Sequence, residues 1–295
     1  MKEVAVVKEY RLLFSRKKAW YFIIPSLLGM MVFYFGPAMI SLYYGTTRGG
    51  TFVWLSNFND TLRNAAFQLA VRNTVWFIVF SVPLNMTVAF GLASMLQRLN
   101  NTKKILIAFM LPLVIPSGAS IFFWRSIFAD NGAINRFLFL RGMETTPWLA
   151  TSWAFFVVLL VFLFRNIGFN LILFMAGFQL IPGQYYDVAK VEGASSFQTF
   201  RFITWIYMIP TTFLVFMMSI INSFRIFREI YLLFGPYPHQ SVYMLQHFMN
   251  NQFVAANMQR LSTTATLLAL AIVVLVWGIF SGQRKLSDAF DQGGN

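Results

Sequence analysis

Cysteine is absent from the 295 residues, which excludes a disulfide framework and a thiolate metal site. Charge is scarce: only 11% of the residues are Asp, Glu, Lys or Arg, where a soluble domain carries about 25%. Glycine is nowhere followed by lysine, so the phosphate-cradling P-loop is missing, and no dinucleotide fingerprint stands in for it. The only histidines, His239 and His247, would sit roughly 12 Å apart along a regular helix, too far to share one metal. Both fall in a stretch read as an outer loop, where a surface role or contact with a binding protein is expected rather than catalysis. Together these absences exclude disorder, a coiled coil, an ordinary cytosolic enzyme and any nucleotide hydrolysis by this chain.

What is present is apolar. Hydrophobic residues make up 58% of the chain and aromatic residues 18%, with a mean hydropathy of +0.62. The main solvent of such a chain is lipid. The net charge of +13 would point to nucleic acid on a soluble protein, but here the charges lie between apolar runs and read as orientation signals.

A helix needs about 20 apolar residues to cross roughly 30 Å of hydrocarbon, and unsatisfied backbone in lipid forces such runs to be helical. Runs of that length cover 19–47, 73–97, 105–124, 145–164, 166–186, 202–224 and 261–283. The first is too late and too long for a cleaved signal peptide. Only Arg165 separates the fourth from the fifth, so the chain has either seven spans or six. Lysine decides. All eight lie at 2, 8, 17, 18, 103, 104, 190 and 285, and six spans put every one on the side of the N-terminus, as the retention of positive charge inside requires. The expected fold is an all-α polytopic membrane protein with six spans near 20–46, 68–96, 104–128, 150–180, 203–225 and 261–281. A basic inner tail (1–18) precedes the membrane domain (19–283), and a short inner tail with little to fold (284–295) follows it. Arg16-Lys17-Lys18 reads as an anchor at an anionic leaflet. The fourth span exceeds the bilayer, with its outer end near Trp148 and Trp153.

The most informative stretch is the inner loop 182–202. Pro182 and Gly183 stop the preceding helix. Gln184–Val191 reads as a short helix with Asp187 in its first turn, Gly193 breaks it, and Ser195 with Gln198 forms a capping-box pattern that starts the next helix. Spacing alone is equally compatible with a plain interfacial connector.

Here the sequence resembles a family. The run Asp187-Val188-Ala189, Glu192-Gly193-Ala194, then Phe200 and Ile203 keeps the spacing of the cytoplasmic loop of permease subunits in binding-protein-dependent ATP-binding-cassette (ABC) importers. The family pattern has the two acids exchanged and an alanine where Val188 stands; the proline that usually follows is replaced by Ile206, and the next one is Pro210. Phe52-Val53-Trp54-Leu55-Ser56-Asn57-Phe58, Arg72-Asn73-Thr74, Asn131-Gly132-Ala133-Ile134-Asn135 and Arg165-Asn166-Ile167-Gly168-Phe169-Asn170 are similar to the carbohydrate branch, the maltose and glycerol-3-phosphate type. The resemblance implies a coupling helix between spans four and five, in which Tyr186, Asp187, Ala189, Glu192, Gly193, Ala194 and Phe197 meet an ATPase subunit. It also implies a second homologous permease, an ATPase dimer that alone binds ATP and Mg, an extracytoplasmic substrate-binding protein, and a prokaryotic plasma membrane with both termini cytoplasmic. The chain itself would bind no cofactor, no metal and no nucleic acid.

Charge at membrane depth is costly and therefore functional by default. Arg165 lies roughly 24 Å above Ile181 at 1.5 Å per residue, and Asn166 and Asn170 share its helix, one turn apart. Asn222 and Arg225 on span five reach a similar height. These five are the expected substrate path. The competing reading for Arg165 is that it snorkels or pairs with an acid of this or a partner subunit, and for Arg225 and Arg228 that they face the outside water; Glu229, four residues after Arg225, reads as a local partner for that residue. Arginine here points toward an acidic sugar, such as a uronate oligosaccharide, and is equally compatible with neutral sugars stacked on aromatic rings. A stand-alone secondary transporter or channel is the alternative, but no acid lies inside any expected span to couple an ion. A membrane-embedded enzyme would need a catalytic cluster at depth, and none is present.

Overall fold

The computed structural model describes residues 16–99 and 102–292, with side chains described over 20–99 and 102–282. The expected basic tail therefore lies outside the described residues up to position 15. Five helices are long and apolar enough to cross a membrane, and a sixth candidate is a helix pair bent by 98°. They divide into two compact units, residues up to 63 with 252–274 and residues 64–251 with 275 onward.

In the first unit, α1 (Arg16–Met30) and α2 (Gly36–Thr46) are joined through a π-helical stretch, Met31–Phe35, and together form the first candidate span. Trp20, Tyr21, Phe22, Phe33 and Tyr34 are exposed along it, a surface that only lipid or another apolar chain can solvate. A two-stranded hairpin follows, β1 (Thr47–Arg48) and β2 (Thr51–Phe52). Its two-residue turn is Gly49-Gly50, with φ of +57° and +83°, the double positive φ that a tight hairpin requires. Helix α3 (Ser56–Leu62) packs on the hairpin through Asn57, whose Nδ2 donates to the carbonyls of Gly45 and Thr47 while its Oδ1 accepts from Arg48. Thr61 and Thr263 share a buried hydroxyl contact of 2.7 Å. Thr263 belongs to the last helix, which runs from Met258 to Gln292. The helical backbone thus continues through most of the expected C-terminal tail: no proline or glycine falls between Gly282 and Gly293.

The second unit holds α4 (Ala65–Leu96), α5 (Lys103–Val114), α6 (Ser117–Phe128), α7 (Ala133–Leu140), α8 (Ala154–Gln179), α9 (Gly183–Val191), α10 (Ser196–Thr199), α11 (Trp205–Arg225), α12 (Phe227–Phe234) and, up to Asn251, α13 (Leu245–Val254). Asn64 caps α4 by accepting from the Phe67 N–H at 3.0 Å. Helix α8 is continuous through Arg165, which excludes the seven-span reading. It begins at Ala154, so Trp148 lies in the loop before it.

Three of the expected spans are corrected. The third is broken. Pro116 forces Ile115 to an extended conformation (φ −66°, ψ 125°), and the chain turns by 98° between α5 and the helical run that starts at Ser117. The fifth does not end at Arg225: the candidate span covers Ser196–Phe234 and so includes Glu229. The sixth starts earlier, at Met258.

Small residues set the helix spacing. A Cβ on Gly168 of α8 would meet the Phe109 carbonyl of α5, and one on Gly177 would meet the Thr211 side chain of α11 at 2.6 Å. Around these approaches, Ala89, Ala93, Leu171, Phe174, Met208 and Val215 form one buried core, and Phe77, Trp124, Val157, Phe162 and Ile230 belong to a second.

Candidate functional site

The loop between α8 and α11 folds largely as its sequence dictates. Helix α9 begins at Gly183, one residue earlier than expected, so Asp187 stands in the second turn rather than the first. Its end is a complete Schellman motif. Gly193 adopts φ +71°, the Ala194 N–H donates to the Ala189 carbonyl at 2.9 Å, and the Gly193 N–H donates to Lys190 at 3.3 Å. The capping box at Ser195 is present: Gln198 Oε1 accepts from the Ser195 N–H, and the Gln198 N–H donates to Ser195 Oγ. Helix, turn and helix are therefore each fixed by a local hydrogen-bonded device, so the loop is a stiff knob.

That knob has two faces. Ala189 is buried, so it seats α9 on the rest of the chain and offers an outside partner no surface, unlike its neighbours in the expected coupling set. Asp187, Glu192 and Gly193 are exposed, and Tyr186 and Ala194 are partly buried. Phe197 is 68% exposed, Val188 60% and Val191 86%, an apolar tip bordered by acids. The exposure of the two valines is not legible in the sequence, because nothing in the spacing says which face of a two-turn helix looks outward. Tyr186 ties the knob to the membrane helices: its hydroxyl lies 3.0 Å from Thr204 Oγ1. Thr204 closes a π-helical stretch, Phe200–Thr204, that leads into α11. Behind the knob, a cavity of about 510 Å³ is bounded by Gln97 and Arg98 after α4, by Tyr186 and Lys190, and by Phe200 and Thr204.

A second cavity, of about 930 Å³, lies among α5, α8, α11, α12 and α13. It gathers Arg165, Asn166, Asn222 and Arg225 of the expected path, together with Arg228, Glu229 and Gln246. Asn170 is not among its lining residues. That side chain is fully buried, and its Nδ2 donates to Asn85 Oδ1 at 2.9 Å and Ser219 Oγ at 2.8 Å. It joins α4, α8 and α11 instead. Asn166 is also nearly enclosed, and its Nδ2 donates to the Phe162 carbonyl at 2.8 Å.

Arg165 has the acid partner that the competing reading required. Its Nε lies 3.4 Å from Glu229 Oε1, and Ser117, first residue after the helix break, bridges them: its Oγ accepts from Arg165 Nη1 at 3.3 Å and donates to Glu229 Oε1 at 3.1 Å. Glu229 is 5% exposed. It does not serve Arg225, four residues before it, because α12 turns its carboxylate toward α8.

His247 is fully buried, which corrects its reading as a surface residue. The ring packs edge-on against Phe227 at 4.8 Å, and its Nδ1 accepts from the Met244 N–H at 3.3 Å. Burial lowers its pKa to about 4, so the ring is neutral at ordinary pH. The motif asparagines Asn73 and Asn135 are likewise structural: Asn73 donates to the carbonyls of Gln240 and Tyr243, and Asn135 accepts from the Thr146 N–H and Trp148 Nε1.

The chain as a whole is similar to known proteins. The chain is 29% identical over 293 residues to the arabinooligosaccharides transport system permease protein of Bacillus subtilis (strain 168), covering 95% of this chain and 91% of that one. It is 29% identical over 221 residues to the lactose transport system permease protein of Rhizobium radiobacter, covering 72% and 74%. A bacterial alginate ABC transporter, solved in complex with an alginate pentasaccharide-bound periplasmic protein, contains a chain of the same fold: TM-score 0.81 at 18% identity, covering 94% of this chain and 98% of that one. Residues 104–282, which carry the knob and the larger cavity, match the model of the binding-protein-dependent transport system inner membrane component, and the chain belongs to that family.

Proposed function

We propose that this chain is the membrane-spanning permease subunit of an ATP-driven importer for a sugar or oligosaccharide. The observation that carries the reading is the rigid, exposed knob 182–202, which presents the apolar Val188, Val191 and Phe197 together with the acids Asp187 and Glu192. A membrane helix pair has no means of capturing nucleotide energy, so it needs a stiff handle that a moving cytoplasmic subunit can push. An ATPase dimer binds ATP and Mg and docks on this knob. Its closure tilts α8 and α11, exchanging outward and inward openings of the path. The Tyr186–Thr204 contact supports this route of force into α11. The chain supplies half of the path and pairs with a second homologous permease, and an extracytoplasmic binding protein delivers the sugar. The membrane is a prokaryotic plasma membrane, with both termini on the ATPase side. The sugar class follows from the oligosaccharide and lactose permeases that resemble the chain along most of its length.

Gly193→Asp tests the reading. It strains the Schellman turn, whose φ of +71° favours glycine, and adds a charge at the docking face. The variant should still reach the membrane but lose co-purification with the ATPase and ATP-driven uptake. Full uptake by the variant would remove the knob from the mechanism. Uphill sugar accumulation by this polypeptide alone in vesicles would favour the stand-alone transporter instead.

A further inference from the structure

The 930 Å³ cavity is unbalanced in charge: Arg165, Arg225 and Arg228 line it against one carboxylate, Glu229. Among the described residues, only Arg165 of the three has an ion pair, with Glu229. Arg225 and Arg228 are exposed at the cavity wall, and among the described residues neither forms an ion pair with Glu229, which lines the same cavity; Asn222, one turn before Arg225, is half-buried beside them. Uncompensated guanidinium groups in a helical run that passes for a membrane span are costly to retain. The planar fork of arginine matches a carboxylate bidentately, whereas a neutral sugar leaves two such charges unanswered. The volume falls within the range of about 300–1,000 Å³ of small-ligand sites.

We infer that this cavity takes an oligosaccharide carrying carboxylate groups, a uronate-type chain, and that Glu229 occupies the Arg165 position while no such chain is bound. An incoming carboxylate first meets Arg225 and Arg228, which carry no ion pair among the described residues. Deeper in, it exchanges with the Glu229 carboxylate at Arg165, while Ser117 Oγ, bonded to both partners, keeps a hydrogen bond to each side through the exchange. The inference rests on the reading of the chain as a sugar permease and adds the charge of the substrate.

The test uses the complete importer in vesicles, with both permeases, the ATPase dimer and the binding protein. It compares ATP-driven uptake of galacturonate and alginate oligosaccharides with that of malto- and arabino-oligosaccharides of equal length. Acidic chains should be taken up, and the Arg225→Gln, Arg228→Gln double variant should raise their KM at least tenfold. Both residues are exposed, so assembly with the ATPase should be unchanged. Glu229→Asp keeps the ion pair but shortens its reach, and should lower KM for the acidic chain two- to fivefold. An unchanged KM in that variant overturns the exchange. Uptake of neutral chains only, indifferent to the arginine substitutions, overturns the substrate class and leaves the permease standing. No uptake of any sugar overturns both readings.

Discussion

Glu229 Oε1 lies 3.4 Å from Nε of Arg165, joining α12 to α8 across the point where Pro116 breaks the third candidate span. The pair is largely shielded, with the Glu229 side chain 7% exposed and that of Arg165 22%. Two charges in such a place are held by each other and by Ser117. Removing one strands the other, which costs up to about 3 kcal/mol once partial exposure of the arginine is allowed for. Arg165→Gln and Glu229→Gln should each lower the unfolding temperature of the assembled importer, while the double variant should recover most of the loss. Additive losses in that cycle would show that the two groups do not depend on each other.

Gly168 offers a sharper steric test. A Cβ there would overlap the Phe109 carbonyl, which is backbone and unable to rotate away. Gly168→Ala must push α5 from α8, and overpacking of this kind costs about 1–3 kcal/mol or more. Gly91→Ala is the control: it sits in mid-helix in α4 with nothing within 4 Å of its added Cβ, and alanine gains about 1 kcal/mol of helix propensity over glycine. Expression level and thermal stability should fall for the first and hold or rise for the second. Equal behaviour would refute the close approach of the two helices.

How far the sequence carries can be read from the same residues. Apolar run length located the candidate spans but not the break in the third or the ends of the fifth and sixth, and lysine placement correctly joined the two runs around Arg165 into one helix. The knob was legible in detail because its determinants are local: Gly193 for the turn and Ser195 with Gln198 for the cap. Long-range partners were not legible. Glu229 was paired by spacing with Arg225, yet the rotation of α12 carries it to Arg165, and no local rule contains that rotation. Asn170 shared a helix with the expected path, but whether it faces a cavity or a neighbouring helix depends on where Asn85 and Ser219 arrive. The break at Pro116, with its angle of 98°, was not read from the sequence at all, because the apolar run continues unbroken across it.

The buried ring of His247 predicts a pH dependence. It lies outside the candidate spans, and burial lowers its pKa from 6.5 to about 4. The unfolded chain therefore binds this proton more readily than the folded one. Stability is unaffected above pH 6.5, falls as the pH drops from 6.5 toward 4, and stops responding to this group below that. The loss over the window is on the order of 3 kcal/mol. Thermal melts of the detergent-solubilised importer between pH 7 and 4 should show the slope, and His247→Gln should flatten it. An identical slope in the variant would assign the acid sensitivity elsewhere.

Val191 separates folding from coupling. Its side chain is 86% exposed at the end of α9, so it contributes little to the stability of this chain, and Val191→Glu should shift the unfolding temperature of the isolated permease pair negligibly, since surface substitutions usually stay within about 0.5 kcal/mol. If the apolar tip enters a cleft of the ATPase, the same variant buries an unpaired charge there beside Asp187 and Glu192, and a desolvated charge without a partner is severely unfavourable. Affinity for the ATPase should fall at least tenfold while membrane insertion and melting stay normal. Tyr186→Phe should do the reverse. It removes only the hydroxyl contact to Thr204, leaves the outer face intact, and should preserve ATPase binding while lowering the sugar moved per ATP hydrolysed. If Val191→Glu bound the ATPase normally, the docking face would have to lie on another side of the knob. If Tyr186→Phe moved as much sugar per ATP as the parent, force would have to reach α11 through the backbone alone.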